Sequence, residues 1–194
     1  MLDPEFPILG TEPLAVELAN TLYGMGNQQI DFLRHPQWID QWFALVAGQH
    51  TIAGASVAMG DEAERVRKLR DGVHSLLSTA IDRRAPEAVM VERVNGFAAA
   101  SPTYLQLEWA GADEPVSRWR DTTADSTAAL GRIATCCIEV LAGPSAGNLR
   151  RCQGPGCSLI FVKNHSRRKW CHPSCGHRDR QARYYRRHLT PGAS

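Results

Sequence analysis

Cys152, Cys157, Cys171 and Cys175 are spaced C-x4-C, then thirteen residues, then C-x3-C. No other feature constrains the fold of this chain as tightly. Zinc takes four thiolate or imidazole ligands in a tetrahedron, and two close pairs joined by a short excursion supply that geometry. Gly154, Pro155 and Gly156 suit a tight turn between the first two cysteines. Leu159-Ile160-Phe161-Val162 reads as a short strand beneath the metal, and Cys175 opens a helix running to about Arg187. Knuckle, strand and helix-borne ligands make a treble-clef-like arrangement. Two disulfides are the competing reading. They are disfavoured because the chain reads as cytoplasmic, where paired cysteines more often hold metal. His165, His172 and His177 are close enough in sequence to stand in for one thiolate. With four thiolates the site is closed to water and substrate, so one structural Zn²⁺ is expected, and it contributes directly to folding.

Charge is distributed in step with the cysteines. The chain carries 22 basic and 20 acidic residues. Between Asn148 and His188, however, eleven Lys or Arg face a single acid, Asp179, and the remainder has eleven basic and nineteen acidic residues. A mildly acidic body followed by a strongly basic module implies a polyanionic partner. Arg167, Arg168, Lys169, Arg178, Arg180, Arg183, Arg186 and Arg187 are the candidate nucleic-acid contacts, because a guanidinium offers several donors in a fixed fork to phosphate. Helical spacing puts Arg180, Arg183 and Arg187 on one face, flanked by Arg178 and Arg186. Trp170, Tyr184 and Tyr185 lie among them. Packing around the metal is the preferred role for Trp170.

The preceding body has its own pattern. The chain is 43% hydrophobic, sufficient for a core without disulfides. Leu14, Leu18 and Leu22 favour a helix. Pro36 opens a second helix with Ile39, Trp42, Phe43 and Val46 on one face and Gly48 as its stop. From Asp61 to Ile81, Val66, Leu69, Val73, Leu76 and Leu77 repeat at three and four, with Asp61 and Glu64 as an acidic capping box. Gly72 weakens this helix by about 1 kcal/mol relative to Ala. A fourth helix is expected from Pro86 to about Ala99. Leu105, Leu107 and Trp109 alternate with polar residues, a Gly/Asp/Pro turn follows, and a second strand lies near Val116 to Arg120. Ala124 to Ala142 is a last body helix, using Leu130, Ile133, Cys137 and Leu141 and stopped by Gly143-Pro144. The fold class is therefore α+β: a mostly helical domain over residues 1–145 with a β-hairpin, then a zinc module over 148–190, joined through GPSAGN.

RCQGPGC, the apolar LIF run, RRKWC and C-x3-CGHR resemble the CGNR zinc finger. The body, from FPILGTEPLAVELANTL to AALGRIATCCIEVLAG, resembles the ABATE domain that precedes this finger in bacterial proteins. That family is described as stress-induced transcription regulators, so the resemblance implies DNA binding by the finger and sensing by the body, and it carries the four cysteines over as zinc ligands. Two departures stand out. His177 occupies the usual Asn position of the signature tetrad. The loop between Phe161 and Trp170 is shorter than usual and lacks an acidic residue after the strand.

Other signals carry less. Cys137 falls on an apolar helix face, where free Cys is a small core residue, so a redox pair with Cys136 is not adopted. Asn20 and Thr21 suit capping or core hydrogen bonding better than a pocket. No phosphate-binding loop, nucleophile elbow or carboxylate pair is present, and no run of about 18 apolar residues marks a membrane span. Asp3 and Glu5 stand where a secretory signal is positive. The expectation is a cytoplasmic bacterial regulator, not an enzyme, whose zinc module binds DNA and whose body binds a small effector or mediates homodimerisation. RNA or single-strand binding through Trp170 and Tyr184 is the first alternative. A small-molecule-binding or enzymatic body with an accessory finger is the second.

Overall fold

The computed structural model describes residues 5–24, 29–50, 58–111, 114–123 and 125–188. Asp3, Ala124, the hairpin-turn residues Ala112 and Asp113, and the last two residues of the expected 148–190 module lie outside these ranges.

Among the described residues, the body has five α-helices whose apolar side chains share one core. Helix α1 (Leu14–Ala19) is buried at every position. It ends earlier than the leucine spacing implies: the Thr21 hydroxyl donates to the Leu18 carbonyl, and Leu22 joins strand β1 (Leu22–Tyr23), antiparallel to β2 (Ile30–Asp31). Helix α2 (Pro36–Ala47) starts at its proline and buries the four expected side chains, Ile39, Trp42, Phe43 and Val46, with Gly48 as its C-cap. Helix α3 (Ala63–Asp82) follows a 3₁₀ turn at Met59–Glu62. The expected capping box does not form: the N-cap is Glu62, without a side-chain cap, and Glu64 pairs with Lys68 instead. The preceding turn has already redirected the chain, leaving Asp61 outside the capping position. Helix α4 (Ala88–Ala100) crosses α3 at Gly72, where a Cβ would lie 3.3 Å from Val94, so the glycine serves close packing. Helix α5 (Ser126–Ala142) is capped by Asp125, whose carboxylate accepts from the Thr127 amide, and it stops at Gly143. None of the described helices is long and apolar enough to cross a membrane.

Strands β3 (Thr103–Glu108) and β4 (Val116–Asp121) form the expected antiparallel hairpin, with Leu105 opposite Trp119 and Leu107 opposite Ser117. Its alternation is real, but its apolar face is not a core face. Leu105, Leu107 and Trp109 remain exposed, Trp109 at 66%.

One buried ion pair ties β2 to α3. Arg70, only 3% exposed, makes a two-bond fork to Asp31 through Nη1 at 2.7 Å and Nη2 at 3.0 Å. Burial pushes the Asp31 carboxyl up, but the Arg70 hydrogen bonds and charge outweigh it and hold it below the usual carboxylate range. The stability this pair contributes is therefore present above the ordinary Asp value and is lost as pH falls through the lowered one. Asp31→Asn is expected to flatten the acid limb of a stability-versus-pH curve from denaturant melts. An unchanged acid limb would contradict this.

The C-terminal part begins with β5 (Leu149–Arg151), pairs it antiparallel with β6 (Ile160–Val162), and ends on α6 (Pro173–His188). Strand alternation gives this small sheet two loyalties. Leu159 and Phe161 pack with the four cysteines, whereas Ile160 and Leu149 enter the core of the body. GPSAGN, expected as a linker, includes a 3₁₀ turn at Ala146–Asn148 between elements that share this core.

Candidate metal centre and nucleic-acid interface

The cysteine knuckle depends on two glycines. Gly156 has φ +71°, the left-handed region that favours glycine, and the Cys157 amide closes the turn on the Gly154 carbonyl at 3.1 Å. Gly154 is needed for room: a Cβ there would stand 2.7 Å from the Cys175 Cβ. The first turn of α6 thus rests directly on the knuckle. Cys175 lies in the first turn of that helix, while Cys171 is placed by the segment leading into it, where its amide donates to Cys152 Sγ.

The four sulfurs lie within 4.8 Å of one another and all four residues are buried. Cys157 Sγ is 3.7 Å from Cys171 Sγ, which is 3.6 Å from Cys175 Sγ. For a Zn–S distance of about 2.3 Å, a tetrahedron has S–S edges of about 3.8 Å, so the spacing fits one zinc ion. The surrounding donors fit bound thiolates. Cys152 Sγ accepts from the Gly154 and Cys171 amides at 3.4 and 3.3 Å, and Cys175 Sγ accepts from Arg178 Nη2 at 3.0 Å. Hydrogen bonds from Cys157 and Cys171 hold the Cys152 thiol low, and the same hydrogen bonds, more than its charge, hold Cys157 and Cys171 high. Thiols packed this closely ionise together only around a cation, a charge that a Zn²⁺ held by Cys152, Cys157, Cys171 and Cys175 would supply. His165, His172 and His177 are exposed and outside the cluster, and His172 Nδ1 instead bonds Ser174 Oγ at 2.8 Å. Among the described residues, the donor set is four sulfurs.

The other two cysteines are of another kind. Burial pushes the Cys137 thiol up to about 12 and raises Cys136 as well, so neither is poised as a thiolate.

The basic residues divide into two groups. Arg168 turns inward: it is stacked on the Phe161 ring at 4.6 Å, donates to the Val162 and Cys171 carbonyls, and pairs with Glu12 Oε1 at 2.7 Å. Its fork is committed to the protein, which removes it from the phosphate-facing set expected from sequence. Arg178 is exposed but serves as counter-charge to Cys175. Arg167 and Lys169 are exposed on either side of Arg168 in the loop, and Arg180, Arg183, Arg186 and Arg187 are exposed on α6. Arg183 reaches Asp179 one turn back at 3.1 Å. Tyr184 shares the outer face with Arg180, Arg183 and Arg187, is 59% exposed, and stacks on His188 with centroids 4.2 Å apart. Trp170 is half-buried against the cysteines and Gly176, which leaves it packing rather than presenting its ring.

Sequence reasoning missed the clamp between body and module. Glu12, 2% exposed, accepts from Arg168 and, through Oε2, from the Val162 amide at 2.7 Å. Asn20 pairs with the Ile160 backbone in both directions, at 3.0 and 2.8 Å. The Ser158 hydroxyl accepts from the Gly24 amide at 2.7 Å. The core hydrogen bonding expected for Asn20 is thus seen, on an unforeseen partner. The one available signal for Glu12 was an acid set between apolar runs, in PILGTEPLAV.

Together these features define a mostly helical α+β body carrying a small treble-clef-like zinc module. Residues 12–144 match the family ABATE, described as "Putative stress-induced transcription regulator", and residues 148–188 match the CGNR zinc finger. The chain belongs to the ABATE family and carries a CGNR finger able to hold one zinc ion. Comparison with curated proteins gave no match.

Proposed function

We propose that this chain is a zinc-dependent, DNA-binding transcription regulator of the bacterial cytoplasm whose α6 helix lies against duplex phosphates. The observation that carries the reading is the exposed Arg180, Arg183 and Arg187 face on a helix anchored at its start by Cys175. Arg186, Arg187 and His188 close the last turn, where cations also suit the helix dipole. Family membership points the same way. With four thiolates no coordination position is open, so the metal orders the module rather than performing chemistry, and the reading includes no enzymatic step.

The test is binding to random-sequence duplex DNA across a salt series. Every phosphate that an arginine no longer neutralises lowers the slope of log affinity on log salt by about 0.9. Arg180→Ala combined with Arg187→Ala is expected to flatten it by about 1.8, twice that increment, and Arg183→Glu to weaken binding to any sequence. Unchanged slopes and affinities would remove α6 from the interface. Tighter binding to single-stranded RNA than to duplex would favour base stacking on Tyr184 instead.

In this reading the body senses a small effector and mediates homodimerisation. The uncovered Leu105, Leu107 and Trp109 face supports the second role, since an isolated two-stranded hairpin is marginal in water. Sedimentation velocity of the full chain is expected to give a dimer that Leu107→Lys dissociates. A wild-type monomer at tens of micromolar would exclude this.

A further inference from the structure

The C-terminal turns of α3 and α5 and the middle of α4 enclose an opening of about 400 Å³. Leu76, Val94 and the partly buried Leu141 form its apolar base, and Ile138, 37% exposed where Leu130, Ile133 and Val140 of the same helix are buried, lines one side. Thr79 and Asn95 supply polar atoms at the lining, and among the described residues Arg84 is its only charged one. Ligand sites for small molecules have this size and make-up: mostly apolar walls with a few placed polar groups. The charge selects the occupant, because no carboxylate among the described residues lines the opening to receive a cation.

We propose that this cavity binds a small aliphatic or aromatic carboxylate, its apolar body on Leu76, Val94 and Ile138 and its carboxylate on Arg84. The proposal deepens the reading of the body as a sensor and rests on it. A route to the finger exists in the same residues. Asp82 accepts from Arg84 at 3.0 Å and from Arg151 at 3.2 Å, and Arg151 directly precedes Cys152. A carboxylate on Arg84 competes with Asp82 for that guanidinium, which changes the field at the strand leading into the metal site.

The experiment uses the full-length, zinc-loaded protein without nucleic acid, titrated calorimetrically with straight-chain carboxylates from butanoate to decanoate and with the matching alcohols. Affinity for the acids is expected to rise about fourfold per methylene until the cavity is filled. Each acid should bind about fivefold more tightly than its alcohol, as for an exposed charge pair. Arg84→Gln should erase the acid–alcohol difference while leaving the chain-length trend. Ala80→Phe, which projects a ring from an exposed rim position, should abolish binding, with circular dichroism verifying that both variants fold. Equal binding of acids and alcohols, no dependence on chain length, or undiminished binding by folded Ala80→Phe would each overturn the proposal. Because no DNA is present, such a failure leaves the α6 reading standing, and loss of DNA binding alone would leave this site standing.

Discussion

Removing the metal, by chelation or by Cys171→Ser, is expected to unfold the C-terminal module and to lower the melting temperature of the body with it. The first part follows from size. The module's own cluster contains little beyond the cysteines, Leu159 and Phe161. Structural zinc in small fingers supplies roughly 10–16 kcal/mol, which such a cluster cannot replace. The second part follows from the alternation in β5 and β6. Leu149 and Ile160, 2% and 1% exposed, belong to the core of the body although they lie in the sequence of the module. Withdrawing them leaves space that costs about 2–5 kcal/mol per aliphatic side chain, on the order of a domain's whole stability. Differential scanning calorimetry should show one transition for the zinc-loaded chain and a lower, broader one after chelation. A body transition unmoved by metal removal would mean that the two parts fold independently.

Glu12→Ala is expected to cost about 3–5 kcal/mol, far more than an exposed ion pair. The Glu12 side chain is 1% exposed and that of Arg168 is 14% exposed, so truncating one strands the other's charge with little water to receive it. The Val162 amide loses its acceptor at the same time. Glu12→Leu with Arg168→Met should recover much of the loss, because replacing both members of a buried pair by apolar groups removes the stranded charge. Urea melts of the two variants measure this. A loss below about 1 kcal/mol for Glu12→Ala, the range of an exposed pair, would show that the pair is solvated and is no clamp.

The zinc ligands and the Glu12–Arg168 pair differ in how far the sequence discloses them. The metal ligands were legible because their chemistry imposes local spacing: two pairs, a short excursion and glycines at the turn. The helices α2, α3 and α5 were legible because a stripe such as Val66, Leu69 and Val73 repeats at helical spacing. Glu12, Asn20 and Arg168 were not, because their partners lie 140 or more residues away and no local pattern encodes such pairings. Arg168 in particular has the same sequence context as Arg167, and only tertiary packing separates the inward guanidinium from the outward one. The hairpin shows the converse case. Alternation at Leu105 and Leu107 predicted strands correctly, but periodicity reports which residues share a face, not whether anything covers it.

If a zinc-folded module presents α6 to DNA, duplex binding must depend on the bound metal. The zinc-quantified protein and its chelated form are titrated against random-sequence duplex from about 50 to 200 mM salt, a range over which phosphate contacts dominate the response. One zinc per chain, steeply salt-dependent binding by the loaded form, and loss of that binding on chelation with return on adding zinc are expected. Stoichiometric zinc in a folded chain that shows no affinity for duplex at the lowest salt would contradict this.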